Sequence, residues 1–154
     1  MTNNSLILST AYLILWLLNL PPQSGLLEQD QRQGTLEVSI NNVRSGNGTL
    51  IICLTATAED FLEACLAVKT MDVTEKGDLQ VYFEDLPFGQ YAISLFHDTN
   101  ANGFLDKRLF GIPKEDFGFS NNPNLGFGSP DFKDCAFAHD HQETSIAINL
   151  KSIL

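Results

Sequence analysis

A chain of 154 residues has the length of one domain, and 44% apolar with 18% charged residues is a globular balance. That balance excludes a disordered or collagen-like chain. Nine basic against nineteen acidic side chains leave a formal net charge of −10, which sets the surface as a whole against nucleic acid and anionic membranes.

The first segment stands apart. From Leu6 to Leu20 (LILSTAYLILWLLNL) the sequence is almost wholly apolar, and no charged side chain precedes Glu28. This run is shorter than the roughly 20 residues of a membrane-spanning helix but suits the hydrophobic region of a secretory signal peptide. Ser24 and Gly25, after Pro21-Pro22, supply small residues for cleavage. A signal normally opens with Lys or Arg and closes on an A-x-A pattern, and both are missing here. Residues 1–25 are therefore read as a signal peptide or a retained hydrophobic anchor, with a buried helix as the third reading. The two leading readings make the protein extracytoplasmic, either periplasmic or secreted. Residues 26–34 (LLEQDQRQG) read as a polar linker, and 35–154 as the folded domain.

Strand signals then follow in order. Leu36, Val38 and Ile40 alternate with polar neighbours, Ser45–Gly48 is a turn cluster, and Leu50–Thr55 (LIICLT) is a second strand, so the pair reads as a β-hairpin. Ala56–Ala64 is the one stretch with a helical turn in it. Leu66, Val68 and Thr70 form a third alternation, and Leu79, Val81 and Phe83 a fourth. Tyr91, Ile93 and Leu95 back onto Ala92, Ser94 and Phe96, a strand buried on both faces. Thr144, Ile146, Ile148 and Leu150 close the chain. Short strands with frequent turns and no long helix predict an all-β fold, a sandwich of two sheets with about seven strands.

Three cysteines, Cys53, Cys65 and Cys135, allow three pairings, which the sequence leaves open. An oxidising compartment favours one bridge. No C-x-x-C spacing supports zinc or thioredoxin-like chemistry.

From His97 to about Asp134 the alternation stops, yet the stretch and its far edge hold Phe104, Phe110, Phe117, Phe119, Phe127, Phe132 and Phe137. Long connections in compact domains are usually functional or disordered, and aromatics argue against disorder. The segment either folds back onto the sandwich as a satellite cluster or presents Phe117, Phe119 and Phe127 as a partner or ligand surface.

Its first part is the most informative motif. Asp98, Asn100, Asn102, Gly103 and Asp106 read D-x-N-x-N-G-x-x-D. Ca²⁺ takes six to eight oxygen ligands; side chains at positions one, three and five curl round one ion when a glycine at six permits the turn. The carbonyl of Phe104 and the carboxylate of Asp106 extend the set. Leu109 stands where an EF-hand has its bidentate Glu, so this is an EF-hand-like loop on a β scaffold, with Glu115 or Asp116 as the residue to complete the shell. The competing reading is an Asn/Gly turn whose side chains cap backbone amides.

Other chemistry is thin. His139-Asp140-His141 has two imidazoles on one strand face but no further ligand. His97 is a strand-end residue, Ser94 lacks a nucleophile-elbow setting, and Asn47-Gly48-Thr49 has the form of a glycosylation sequon. No catalytic residue is assigned.

The run from Leu86 to Phe137 (LPFGQYAISLFHDTNANGFLD…FGIPKEDFGFSNN…GFGSPDFKDCAF) resembles the exported bacterial domains known as domain of unknown function 2141. The resemblance covers most of the chain after residue 34 and implies a transthyretin-like (prealbumin-like) or carboxypeptidase-regulatory-like sandwich, with no established activity. Transthyretin-like hydrolases end in Tyr-Arg-Gly-Ser, whereas this sequence ends Lys-Ser-Ile-Leu. The first strand also lacks the lysine that an internal isopeptide needs. The expected protein is thus a calcium-stabilised module for binding or envelope structure, with an unknown protein or envelope ligand as partner. Membrane contact is expected only through an uncleaved N-terminal segment. A carrier of a small apolar ligand, or a hydrolase using Asp98, Asp106, Glu115 and Asp116, are the rival classes.

Overall fold

The computed structural model describes residues 32–126 and 128–153. The hydrophobic segment 1–25, most of the linker and Phe127 lie outside the described residues.

Among the described residues eight strands form two sheets. β1 (Gln33–Val43) lies between β4 (Gly77–Pro87) and β8 (Glu143–Asn149) in a three-stranded sheet. β2 (Thr49–Thr55) lies between β3 (Ala67–Asp72) and β5 (Gly89–Asp98) in the second sheet, which β6 (Phe117–Phe119) extends along β5. β7 (Phe137–His139) pairs with the start of β5. The pairs are antiparallel except β1–β8, where the first and last strands run side by side from Thr35↔Glu143 to Asn41↔Asn149. The all-β sandwich is therefore present, with eight strands rather than seven.

Period-two alternation builds the core. Leu36, Val38 and Ile40 of β1 face Leu50, Ile52 and Leu54 of β2 and Ile93 and Leu95 of β5 across the sandwich, and none is more than 3% exposed. β5 is buried on its other face as well: Ala92 packs against Phe61, Cys135, Phe119 and Phe132 in a second cluster.

Two expectations fail. β1 and β2 are not a hairpin: the turn between them crosses from one sheet to the other, and β2 takes β3 and β5 as partners. Alternation marks which face is buried but not which strand is the neighbour. In β3 the faces are reversed. Leu66 and Val68 are 62% and 56% exposed, while Ala67 and Met71 pack on the core. The register Cys53↔Val68 puts Val68 on the outward face with Cys53, which is bonded to Cys65.

That Cys53–Cys65 bond fixes the pairing that the sequence left open, with Cα atoms 5.4 Å apart across a separation of 12 residues. It tethers the segment 56–64, whose one turn is held by the Asp60 carbonyl accepting from the Glu63 and Ala64 amides. Closing a loop of this length stabilises by about 3 kcal/mol in the chain-entropy model. Reduction is expected to lower the melting temperature by roughly 10 °C, read as the difference between melts with and without reductant.

Candidate metal centre

β5 delivers the site. The strand ends on Asp98, 1% exposed, and the chain then turns sharply, with Ala101 at φ 56° and Gly103 at φ 82°. Both carboxylate oxygens of Asp98 point back into this turn: one accepts from the Asn102 amide (3.2 Å), the other from the Gly103 amide (2.6 Å). Asn100 Oδ1 accepts from the Asn102 amide at 3.1 Å, and Asn102 Oδ1 from the Phe104 amide at 2.8 Å. The amide nitrogens of both asparagines donate to Asp106 Oδ2, at 2.9 and 3.4 Å.

Of the two acidic residues that the sequence offered as completing groups, the structure brings in Glu115. It is 6% exposed, and its two oxygens accept from the amides of Thr99 (3.2 Å) and Asp106 (3.1 Å), fastening both ends of the loop. Asp116 turns the other way and binds the Arg44 guanidinium through both oxygens, one contact being 2.9 Å. That hydrogen bond and the charge of Asp116 raise the pKa of Arg44. The chain bends at residues 114 and 115, and neighbours 115 and 116 take different partners, Glu115 the loop amides and Asp116 the Arg44 guanidinium.

The loop rests on the connection between β1 and β2. His97, 1% exposed, donates from Nε2 to the Asn47 carbonyl at 2.7 Å, and Asn47 Nδ2 donates to the Thr99 carbonyl at 3.0 Å. Gly48, at φ 86°, lies so close beneath that a Cβ there would stand 2.2 Å from the Asp98 carbonyl oxygen.

Asp98, Asp106 and Glu115 thus share one loop, and among the described residues no Lys, Arg or His pairs with them. Their oxygens are met by backbone amides and asparagine nitrogens, the self-capped arrangement of an Asx turn. No three His, Cys, Asp or Glu side chains among the described residues stand as a ready-made metal cage. Phe104, whose carbonyl the motif nominates, exposes 75% of its surface.

The remaining sequence candidates are structural. His139 is fully buried: Nε2 donates to the Leu86 carbonyl at 3.1 Å and Nδ1 accepts from the Thr144 hydroxyl at 2.7 Å. With both nitrogens engaged it is unavailable as a ligand beside the exposed His141, whose own partner is Asp140. Phe117 is 6% exposed and Phe119 packs on Phe61 and Phe117, so of the two readings of the long segment these two rings take the inward one.

Sequence reasoning missed why that segment folds so. Ser120 bonds both backbone groups of Ile93, by its own amide to the carbonyl (3.0 Å) and by accepting the Ile93 amide on Oγ (2.9 Å). Asn121 and Asn122 take φ of 61° and 48°, a region asparagine tolerates. Asn121 Nδ2 donates to the Ala136 carbonyl, and Asn122 clamps β8 between the Ala147 carbonyl (2.8 Å) and the Asn149 amide (2.7 Å). The tract GFSNN is thus a fastener, and the consecutive asparagines were its visible signal. Nearby, burial and the charge of Asp134 push the Cys135 thiol up to about 11. Alkylation at neutral pH is expected to be slow in the folded protein and fast in denaturant, which a thiol-counting time course would show.

The site defines a class: a small disulfide-bonded β-sandwich with an acidic Asx-turn loop at the end of one central strand. The chain belongs to the family described as uncharacterized protein conserved in bacteria (DUF2141), whose model matches residues 38–147. No curated protein and no solved structure matches it significantly.

Proposed function

We propose that the protein is a non-catalytic extracytoplasmic module, ordered by calcium at the loop Asp98–Asp106 and serving in binding or envelope structure. One observation carries the reading: the buried Asp98 and Glu115 close the two ends of a loop that also holds Asp106, and among the described residues no basic side chain pairs with the three. Half-turns of the Asn100 and Asn102 amides exchange nitrogen for oxygen facing Asp106. An ion drawn in by the carboxylates then replaces those two N–H contacts. With few charged ligands the affinity belongs to the extracellular range, on the order of 10⁻⁴–10⁻³ M. The Cys53–Cys65 bond supports an oxidising compartment.

Thermal melting tests this. At about 10 mM calcium such affinities stabilise by about 1.4–2.7 kcal/mol over chelator, a rise of roughly 5–10 °C. Identical melts in calcium and chelator would refute it.

A further inference from the structure

The sequence set the chain as a whole against anionic membranes, but charge is not evenly spread. Beyond the acidic loop the chain forms a small finger over residues 107–113. It is closed by a bridge between Lys107 and Pro113, by the Arg108 amide donating to the Ile112 carbonyl (2.7 Å), and below them by the Lys114 amide donating to the Asp106 carbonyl (2.8 Å). Its tip is apolar and outward: Leu109 is 82% and Phe110 97% exposed, with Phe104 at 75% beside the base. Phe110 holds φ at 65°, a conformation that a bulky residue rarely adopts. Apolar side chains held out in this way normally mark a contact surface rather than a core.

The finger is also the basic part of the molecule. Three of the nine Lys and Arg residues, Lys107, Arg108 and Lys114, fall within residues 104–114, against one carboxylate, Asp106. All three are exposed, and among the described residues none is in an ion pair. At physiological ionic strength charges beyond about 8 Å are screened, so a surface approaching the tip responds to Lys107, Arg108 and Lys114, with the loop carboxylates behind them at the base, rather than to the net charge of the whole chain.

We propose that this finger docks on an anionic phospholipid bilayer, with Leu109 and Phe110 entering the acyl boundary and Lys107, Arg108 and Lys114 contacting headgroup phosphates. Buried apolar area plus basic charge is the combination that binds bilayer interfaces. An acidic protein groove would satisfy the cations but gives no reason for a Phe side chain held out almost free of its own fold. The inference goes beyond the calcium reading and does not depend on it, since the finger is closed by backbone hydrogen bonds alone.

The test uses residues 32–154, which contain every core residue named above. The chain has one tryptophan, Trp16, outside this unit. Phe110→Trp therefore supplies a single reporter at the tip. With vesicles of equal parts phosphatidylcholine and phosphatidylglycerol, in chelator, its emission is expected to shift to the blue and the unit to co-sediment. Leu109→Ser/Phe110→Ser is expected to weaken sedimentation roughly tenfold or more, and Lys107→Gln or Arg108→Gln roughly fivefold each, with unchanged melts because all four side chains are exposed. Failure to bind, with melts showing a folded unit, would overturn the proposal and leave a protein partner for the finger. Equal binding to pure phosphatidylcholine would refute the role of the cations. A blue shift that grows with protein concentration, without vesicles, would assign the tip to a second copy instead. Added calcium separates the two readings: loss of calcium stabilisation alone leaves vesicle binding intact.

Discussion

Asp98→Ala is expected to cost about 2–3 kcal/mol without calcium and to abolish the calcium-dependent rise in melting temperature. The carboxylate is buried at the end of β5 and accepts from two backbone amides, those of Asn102 and Gly103. A hydrogen bond to a charged acceptor contributes about 1.5–3 kcal/mol, and its loss is partly made good where water reaches the donor. Both Asn102 and Gly103 are exposed, so the cost falls short of two full bonds. Asp98→Asn separates the two roles. It keeps an oxygen for one amide and so destabilises less than alanine, but it removes a charge from the proposed ligand set and still weakens calcium binding. If asparagine kept the full calcium effect, Asp98 would be a cap and not a ligand. Parallel melts of the two variants, each in calcium and in chelator, decide it.

Gly48→Ala is expected to be the most damaging single-methyl change, at about 3–5 kcal/mol. Two penalties coincide there. A residue with Cβ at φ 86° loses about 1–2 kcal/mol in the left-handed region. The added carbon also meets the Asp98 carbonyl oxygen at 2.2 Å and the Thr99 Cα at 2.7 Å, both backbone, so the end of β5 must move. Gly103 provides the control. Its φ is 82°, but nothing lies within 4 Å of its Cβ position, so Gly103→Ala is expected to cost only the conformational part. Denaturant unfolding of the two variants gives the comparison. Equal losses would mean that the β1–β2 connection yields and does not support the loop.

The legible parts of this fold are those whose information is local. Leu36, Val38 and Ile40 announce a half-buried strand by spacing alone, and the two-sided burial of β5 follows from apolar residues at both parities. Pairing is not local. The parallel contact of β1 with β8 joins residues more than a hundred positions apart, as in Thr35↔Glu143, and nothing in either strand names the other. β6 and β7 have three residues each, too few for a period to register, and their places depend on Ser120 and the edge of β5. In β3 both parities carry apolar side chains, so spacing offered two faces and the register chose the other one.

The loop shows the same division. The residue types of Asp98, Asn100, Asn102 and Gly103 predicted a tight oxygen-rich turn, and the turn is there. Which of Glu115 and Asp116 would face it depends on a bend at residues 114 and 115 that no periodic pattern announces, and Arg44, far away in sequence, takes the other. Whole-chain charge is an average, and it hides that Lys107, Arg108 and Lys114 lie close together in an otherwise acidic chain. Counting aromatics without their burial singled out Phe117, while among the described residues the most exposed rings of the segment are Phe104 and Phe110.

Calorimetric titration of calcium into residues 32–154 is the most direct test of the central claim, that the loop Asp98–Asp106 is a calcium site. Saturable binding at one site per chain is predicted, with a dissociation constant on the order of 10⁻⁴–10⁻³ M and no comparable heat in Asp98→Ala. The absence of heat at millimolar calcium, or the same heat in the variant, would contradict the claim and leave the loop as a self-capped turn.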